Sequence, residues 1–296
     1  MTTPHTPTAI DSGTFTLGGL GGLGGLTVRR LGFGAMRLTG AGNWGPPRDR
    51  DEALAVLRRA VDLGVNLIDT ADVWGPGVSE DLIAEALYPY PEDLVITTKG
   101  GLVGLGPGQR APDGRPEHLR AALEASLQRL RLERIDLYQL HRPDPNVPFE
   151  ESVGMLAELQ RAGKIRYIGL SNVTTEQLAQ AWRIAPIAAV ENRYNLTDRG
   201  SEEVMEVCAR DGVAFLPFVP LATGELARGE GPLDQIARRH DATGAQIALA
   251  WLLQRSPVML PIPGTSSVRH LDENVAAAGI RLTQDEFEQL RANGRP

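Results

Sequence analysis

Three ionisable side chains stand at the downstream ends of short apolar runs: Asp69 near the end of Val65–Thr70, Lys99 after Leu94–Thr98, and His141 after Ile135–Leu140. Each has a bland reading as a turn cap, a solvent-facing charge or a hydrogen-bonded core histidine. Brought to one cavity, an Asp, a Lys and a His supply an ion pair, a fixed cation and a group that holds or polarises an oxygen. Composition singles out Lys99. Of 30 basic residues 28 are Arg, and Lys164 is the other lysine. An amine shifts its pKa and acts as a compact charge, which guanidinium does not.

The elements that must position these groups follow from the apolar pattern. Runs at Leu31–Met36, Val65–Thr70, Leu94–Thr98, Ile135–Leu140, Lys164–Leu170, Ile187–Glu191, Val213–Phe218 and Val258–Ile262 alternate with segments of helical period. Unalternating runs are strands buried on both faces, as parallel strands are. In the first helical segment Leu54, Leu57 and Val61 share a face before Gly64. Thr174 with Gln177, and Thr283 with Glu286, have capping-box spacing, the second opening a final outer helix near 283–292. The predicted fold is an α/β (β/α)8 TIM barrel over 17–296, one domain, behind a loose tail at 1–16. Active sites of such barrels lie at the C-terminal strand ends, where the three residues fall.

The run Gly18–Gly25 contains a letter-for-letter G-x-G-x-x-G at Gly19–Gly24. A dinucleotide fingerprint needs a strand before it and a helix after it. Here a Thr/Pro-rich tail precedes it and Thr27–Leu31 follows, so an N-terminal hairpin or glycine-rich loop is the better reading. Net charge is −7, which disfavours nucleic acid or an anionic membrane as a partner. The single Cys208 excludes a disulfide framework and falls in a helical pattern as core. His5, His118, His240 and His270 lack ligand spacing, so no metal site is expected. The apolar stretches are too short to span a membrane and no signal-like segment opens the chain, so a cytoplasmic location is expected.

Seven stretches resemble the aldo-keto reductase superfamily: LGFGAMRL (31–38), NLIDTADVWGPGVSE (66–80), VITTKGG (95–101), DLYQLHRPD (136–144), IRYIGLSN (165–172), VENRYN (190–195) and PIPGTSSVRHLDENV (261–275). PPRDR (46–50), ALYPY (86–90) and AWLLQRSP (250–257) point to its bacterial, pyridoxal-reductase-like branch. The resemblance implies reduction of an aldehyde or ketone, a small-molecule substrate, with hydride from NADPH or, second, NADH. In the family a Tyr donates the proton, with a Lys paired to an Asp lowering its pKa, while a His orients the carbonyl. Asp69, Lys99 and His141 take three of these roles, and Trp74 stands where the pattern has Tyr. An indole N–H donates a hydrogen bond but does not release its proton. The five tyrosines, at 88, 90, 138, 167 and 194, include no obvious substitute. Three accounts stay open: a laboratory replacement of Tyr, a natural enzyme using His141 or water, or a cofactor-binding protein with little catalysis.

By the same resemblance Gly34, Met36 and Asp69 border the cofactor. Ser171 and Asn172 hold the nicotinamide carboxamide, with Glu191 standing where Gln is frequent. Phe218 stacks on the ring, followed by Pro220 and Leu221. Gly264, Thr265, Ser266, Ser267, Arg269, His270, Glu273 and Asn274 hold the adenosine phosphates. Asn43, Trp44, Trp74 and the segment 221–231 are candidates for the substrate pocket, and Trp182 and Trp251 for packing. Potassium-channel β subunits share these motifs, so a regulatory role is the alternative from another class.

Overall fold

The computed structural model describes residues 6–18, 24–221 and 231–292. The chain enters through a hairpin, β1 (Thr14–Leu17) antiparallel to β2 (Leu26–Arg29). Strands β3 (Phe33–Gly34), β4 (Leu67–Asp69) and β5 (Val95–Gly100) follow. A second hairpin, β6 (Leu102–Gly106) with β7 (Gln109–Pro112), interrupts the repeat. Then come β8 (Ile135–Leu140), β9 (Ile165–Ser171), β10 (Ile187–Arg193) and β11 (Ala214–Phe218). The seven strands from β3 to β11, omitting the hairpin, pair in parallel as one sheet, each beside its neighbour in the repeat.

The eighth predicted run closes this sheet without forming a regular strand. Phe215 N–H donates to Val258 O and Leu260 N–H to Phe215 O, both at 2.8 Å. On the other edge Gly32 and Gly34 donate to the carbonyls of Pro261 and Pro263 at 3.0 and 3.4 Å. Neither proline has an N–H to return, so the ladder to β3 is one-sided. Strand β3 is correspondingly shorter than the predicted Leu31–Met36, with Met36 on a 3-10 turn, Ala35–Leu38. Close approach completes the seam: a Cβ on Gly34 would sit 2.7 Å from Ile262 O.

Outside the sheet lie α1 (Arg50–Asp62), α2 (Val78–Leu87), α3 (Pro116–Leu130), α4 (Phe149–Arg161), α5 (Thr175–Trp182), α6 (Glu202–Asp211), α7 (Pro232–Arg239), α8 (Gly244–Arg255), α9 (Val268–Ala276) and α10 (Gln284–Ala292). Both expected capping boxes form, at Thr174 and at Thr283. Cys208 is buried in α6. Alternation along each strand separates two cores. Ile68, Ile96, Tyr138, Ile168, Val190 and Phe215 face the helices. Leu67, Val95, Leu137, Tyr167, Ala189, Leu216 and Leu260 cluster instead with Leu17 and Val28 of the first hairpin. That hairpin therefore plugs the N-terminal end of the barrel. Leu17 and Val28 are fully buried, contributing roughly 1.5–3 kcal/mol each to holding it there. The glycine-rich stretch is its connection, with residues 19–23 outside the described residues.

The loose tail expected over 1–16 needs correction from Thr8 onward. Thr8 N–H donates to Asp11 Oδ2 at 2.7 Å, closing a 3-10 turn at Ala9–Ser12. Ala9 N–H donates to Leu63 O at 2.9 Å, and Ala9 and Ser12 are buried. Ser12 Oγ accepts from Leu31 N–H at 3.0 Å, and these contacts with residues distant in the chain turn the polar segment into structure.

Candidate active site

Period-two alternation aims one row of side chains from each strand into the barrel. On β4 the row is Leu67 and Asp69, on β5 Val95, Thr97 and Lys99, on β10 Ala189 and Glu191. On β8 it is Leu137 and Gln139, with His141 one step past the strand end. The lower members are apolar and the upper ones polar, so the polar groups meet at the C-terminal end.

Lys99 is the centre of this layer, with 1% of its side chain exposed. Its Nζ lies 2.6 Å from both Asp69 carboxylate oxygens, 3.0 Å from Thr70 O and 3.0 Å from Glu191 Oε2. An ammonium has three protons, and three acceptor groups surround it, so Lys99 has no donor left for a substrate. Gln139 ties the acids together: its Nε2 lies 2.8 Å from Glu191 Oε2, 3.0 Å from Thr97 Oγ1 and 3.3 Å from Asp69 Oδ1. Room for Gln139 depends on Gly169 of β9, where a Cβ would sit 2.8 Å from Gln139 Cγ. Burial would strip the proton from Lys99, but Asp69 and Glu191 outweigh it and raise the pKa. Burial and the neighbouring Glu191 push Asp69 well above the usual carboxylate range, against the pull of Lys99. Two acids sharing one ammonium leave the cluster eager for a proton, and that is the direction expected from the geometry.

Above this layer sit His141 and Trp74, ring centroids 5.2 Å apart and nearly perpendicular. His141 Nδ1 is buried with no partner, leaving Nε2 as the nitrogen available to a bound molecule. Burial, then the charges of Lys99, Arg110 and Arg142, hold the imidazole well below its ordinary pKa. His141 is therefore neutral at pH 7, able to donate a hydrogen bond but not to act as a strong acid. Trp74 is half-buried on the loop after β4. The β6–β7 hairpin lays Arg110 over its ring, 4.6 Å from the centroid. Asn43 O accepts from Gly75 N–H at 3.0 Å, which ties the loop bearing Trp44 to the Trp74 loop. Trp44 itself is 37% exposed. Its ring approaches the hairpin at Gly104, where a Cβ would sit 2.8 Å away. Asn43, Trp44 and Trp74 are thus neighbours as expected, while residues 222–230 of the fourth pocket candidate lie outside the described residues.

The cofactor candidates divide into two groups. Ser171 ends β9, fully buried, and Asn172 follows in the left-handed region at φ 59°, which Asn tolerates. Asn172 Nδ2 donates to His141 O at 3.1 Å and to Ser171 Oγ at 2.9 Å. Phe218 ends β11 half-buried, with Pro220 buried and Leu221 half-buried after it. Glu191 is wired to Lys99 and Gln139. The second group forms the turn into α9. Ser267 N–H donates to Thr265 Oγ1 at 3.1 Å, and Val268 N–H to Glu52 Oε1 of α1 at 2.9 Å. The next N–H groups, of Arg269 and His270, are among those a helix start leaves without an internal acceptor. The Arg269 guanidinium is engaged with Glu273 and with His270 Nε2. Asn274 is buried, Ser266 exposed, and Gly264 packs its backbone against Gly34. Open N–H groups and hydroxyls at a helix start suit phosphate oxygens, so these residues fit a dinucleotide.

Two residues of the site were not expected from sequence. Gln139 carries a readable signal, since it lies two residues before His141 and so on the same strand face. Arg110 carries none, because only the hairpin's fold returns it over Trp74.

A closed parallel barrel with a polar layer at its C-terminal strand ends is the architecture of a (β/α)8 enzyme. The chain belongs to the aldo/keto reductase family, a family of oxidoreductases, whose model matches residues 30–294. It is similar to pyridoxine 4-dehydrogenase of Escherichia coli, 44% identical over 291 residues that cover 95% of this chain and 98% of that protein. Among solved structures it is similar to a thermostable aldo-keto reductase in complex with the inhibitor epalrestat. There the TM-score is 0.82 at 33% identity, covering 95% of this chain and 99% of the other. An aldo/keto reductase of Klebsiella pneumoniae in complex with NADP and acetate has a TM-score of 0.76 at 30% identity, covering 90% and 91%.

Proposed function

We propose that the chain reduces an aldehyde or ketone to an alcohol with a reduced nicotinamide cofactor, NADPH in preference to NADH. What carries the reading is the Lys99–Asp69 pair buried beneath the His141–Trp74 edge. When bound, the nicotinamide supplies a hydride to the carbonyl carbon. Ser171 and Asn172 hold its carboxamide, and Phe218 offers an apolar face to the ring. Gly34, Met36, Asp69, Pro220 and Leu221 would border the cofactor. The turn from Gly264 to Ser267 and the start of α9 take the phosphates, with Arg269 and His270 beside them. Similarity to a structure bearing NADP supports this assignment.

His141 Nε2–H holds the substrate oxygen while charge develops on it, and the Lys99 ammonium below adds positive potential. The proton comes from elsewhere. Trp74 does not release one, His141 is neutral, and the Lys99 N–H groups are committed to Asp69, Thr70 and Glu191. Water entering at the mouth completes the alcohol, which makes turnover slower than with a phenol in the place of Trp74. Similarity to pyridoxine 4-dehydrogenase makes pyridoxal-type aldehydes the first substrates to try.

Fluorescence titration with NADPH and with NADH, run beside an aldehyde turnover assay, tests the reading. Tight binding with measurable turnover supports it. Binding without turnover removes the reductase reading and leaves a cofactor-binding protein, and the absence of both binding and turnover removes the proposal as a whole. Equal dissociation constants for the two cofactors remove the NADPH preference.

A further inference from the structure

The mouth of the site is more basic than a chain of net charge −7 requires. Arg110 reaches in from the β6–β7 hairpin, half-buried, with its guanidinium carbon 4.6 Å above the Trp74 ring. Trp74 in turn is 5.2 Å from His141. These two contacts in series hold the guanidinium within one small-molecule length of the imidazole. Arg110 donates to Gly42 O at 3.1 Å, a neutral acceptor. Arg142 follows His141 directly, is exposed, and approaches the Asn172 amide oxygen at 3.5 Å. Neither arginine forms an ion pair with a carboxylate among the described residues. By contrast Arg29, Arg50, Arg59 and Arg115 each have a carboxylate partner.

The guanidinium carbon of Arg110 lies over the Trp74 ring, a cation–π contact that leaves less side-chain freedom to be lost when an anion docks. One fork N–H goes to Gly42 O, and among the described residues no carboxylate takes the others, which leaves them for an oxyanion. Arg142, the residue after His141 at the end of β8, supplies the second cation, and the charges of both arginines act on the His141 imidazole. The acids of the site, Asp69 and Glu191, are turned inward onto Lys99 and do not neutralise the mouth.

We propose that Arg110 and Arg142 form an anion-accepting subsite, so that the preferred substrates are carbonyl compounds that also carry a carboxylate or phosphate. The proposal rests on the reductase reading above and deepens it by naming the substrate class. The carbonyl meets His141 while the oxyanion meets the arginines, which orients the substrate from both ends.

The test compares substrates that differ in charge but hardly in shape: 4-carboxybenzaldehyde against 4-formylbenzamide, and glyceraldehyde 3-phosphate against glyceraldehyde. Each pair is assayed with the unaltered chain, Arg110→Gln, Arg110→Lys and Arg142→Gln. The expected result is a kcat/KM ratio of charged to neutral substrate well above one. That ratio falls at least about tenfold in each Gln variant, as loss of a charge-assisted hydrogen bond implies, chiefly through KM. Arg110→Lys retains part of the ratio. Whichever pair shows the larger fall identifies carboxylate or phosphate as the preferred anion. A ratio at or below one for both pairs, or one unmoved by both Gln variants, overturns the proposal. If no aldehyde is turned over, the reductase reading fails by itself. Tryptophan-fluorescence binding of the acid against the amide then decides the subsite alone: tighter binding of the acid that is lost in Arg110→Gln upholds it, and equal binding overturns it.

Discussion

Replacing Lys99 by Met is the sharpest test of the buried layer. The ammonium lies 2.6 Å from Asp69 and 3.0 Å from Glu191, almost wholly out of water. At an effective dielectric near 20 each contact corresponds to about 5–6 kcal/mol of attraction before desolvation is subtracted. Removing the cation leaves two carboxylates bridged only by Gln139 Nε2, at 2.8 and 3.3 Å. Uptake of a proton limits the damage, and the expected net loss is about 3–5 kcal/mol, the usual cost of breaking a buried pair. For a chain of 296 residues that lowers Tm by roughly 5–8 °C. Adding Glu191→Gln to Lys99→Met removes the surviving repulsion and restores at least half of the loss. The pH dependence has a defined sign. Asp69 already holds its proton more tightly folded than unfolded. Such a group costs nothing below its unfolded pKa and destabilises increasingly as pH rises above it. Without Lys99 the effect is stronger, so the deficit is larger at pH 8 than at pH 5. Thermal melts of the parent and both variants at the two pH values make the measurement. A deficit independent of pH, or no recovery with Glu191→Gln, would refute the electrostatic reasoning and leave only a packing defect.

Trp74→Tyr is expected to raise carbonyl reduction by roughly 10²–10⁴-fold, the contribution of a general acid beside a cation; steady-state rates that stay put across several aldehydes sink this. His141 is held neutral by burial and by Lys99, Arg110 and Arg142. The kcat/KM profile should therefore show no imidazole limb between pH 5.5 and 8, and an inflection near ~6.5 would contradict it. Gly169→Ala forces a methyl to within 2.8 Å of Gln139 Cγ. It should destabilise by about 1–3 kcal/mol in a denaturant melt and weaken the Asp69–Glu191 bridge, whereas a neutral result would show that Gln139 has room to move.

The repeat of apolar runs and helical segments was enough to place a barrel, because each strand and helix carries its own local period. The same period marked Asp69, Lys99 and His141 as neighbours, since strand ends on one side of a parallel sheet meet whatever the loops do. Scarcity of lysine and tyrosine then pointed to Lys99 as a retained amine and to Trp74 as an unusual occupant. The eighth run could not be read as irregular from its apolar character, although Pro261 and Pro263 held the reason in plain view. Burial of the N-terminal segment depended on Ala9 reaching Leu63 and Ser12 reaching Leu31, contacts no local pattern announces.

Charges are where tertiary structure decided most. Sequence held no sign that Glu191 would also meet Lys99, which happens because β5 and β10 face each other across the barrel interior. It offered no sign that Lys99 would spend all three donors inside the protein, or that His141 would be surrounded by cations and kept neutral. Arg110 lies in a hairpin outside the eight apolar runs, and only its return over Trp74 makes it part of the mouth. Local pattern determines which way a side chain points from its own strand. What it meets there is set by strands and loops distant in the chain, and with it the protonation and the reach of every group in the site.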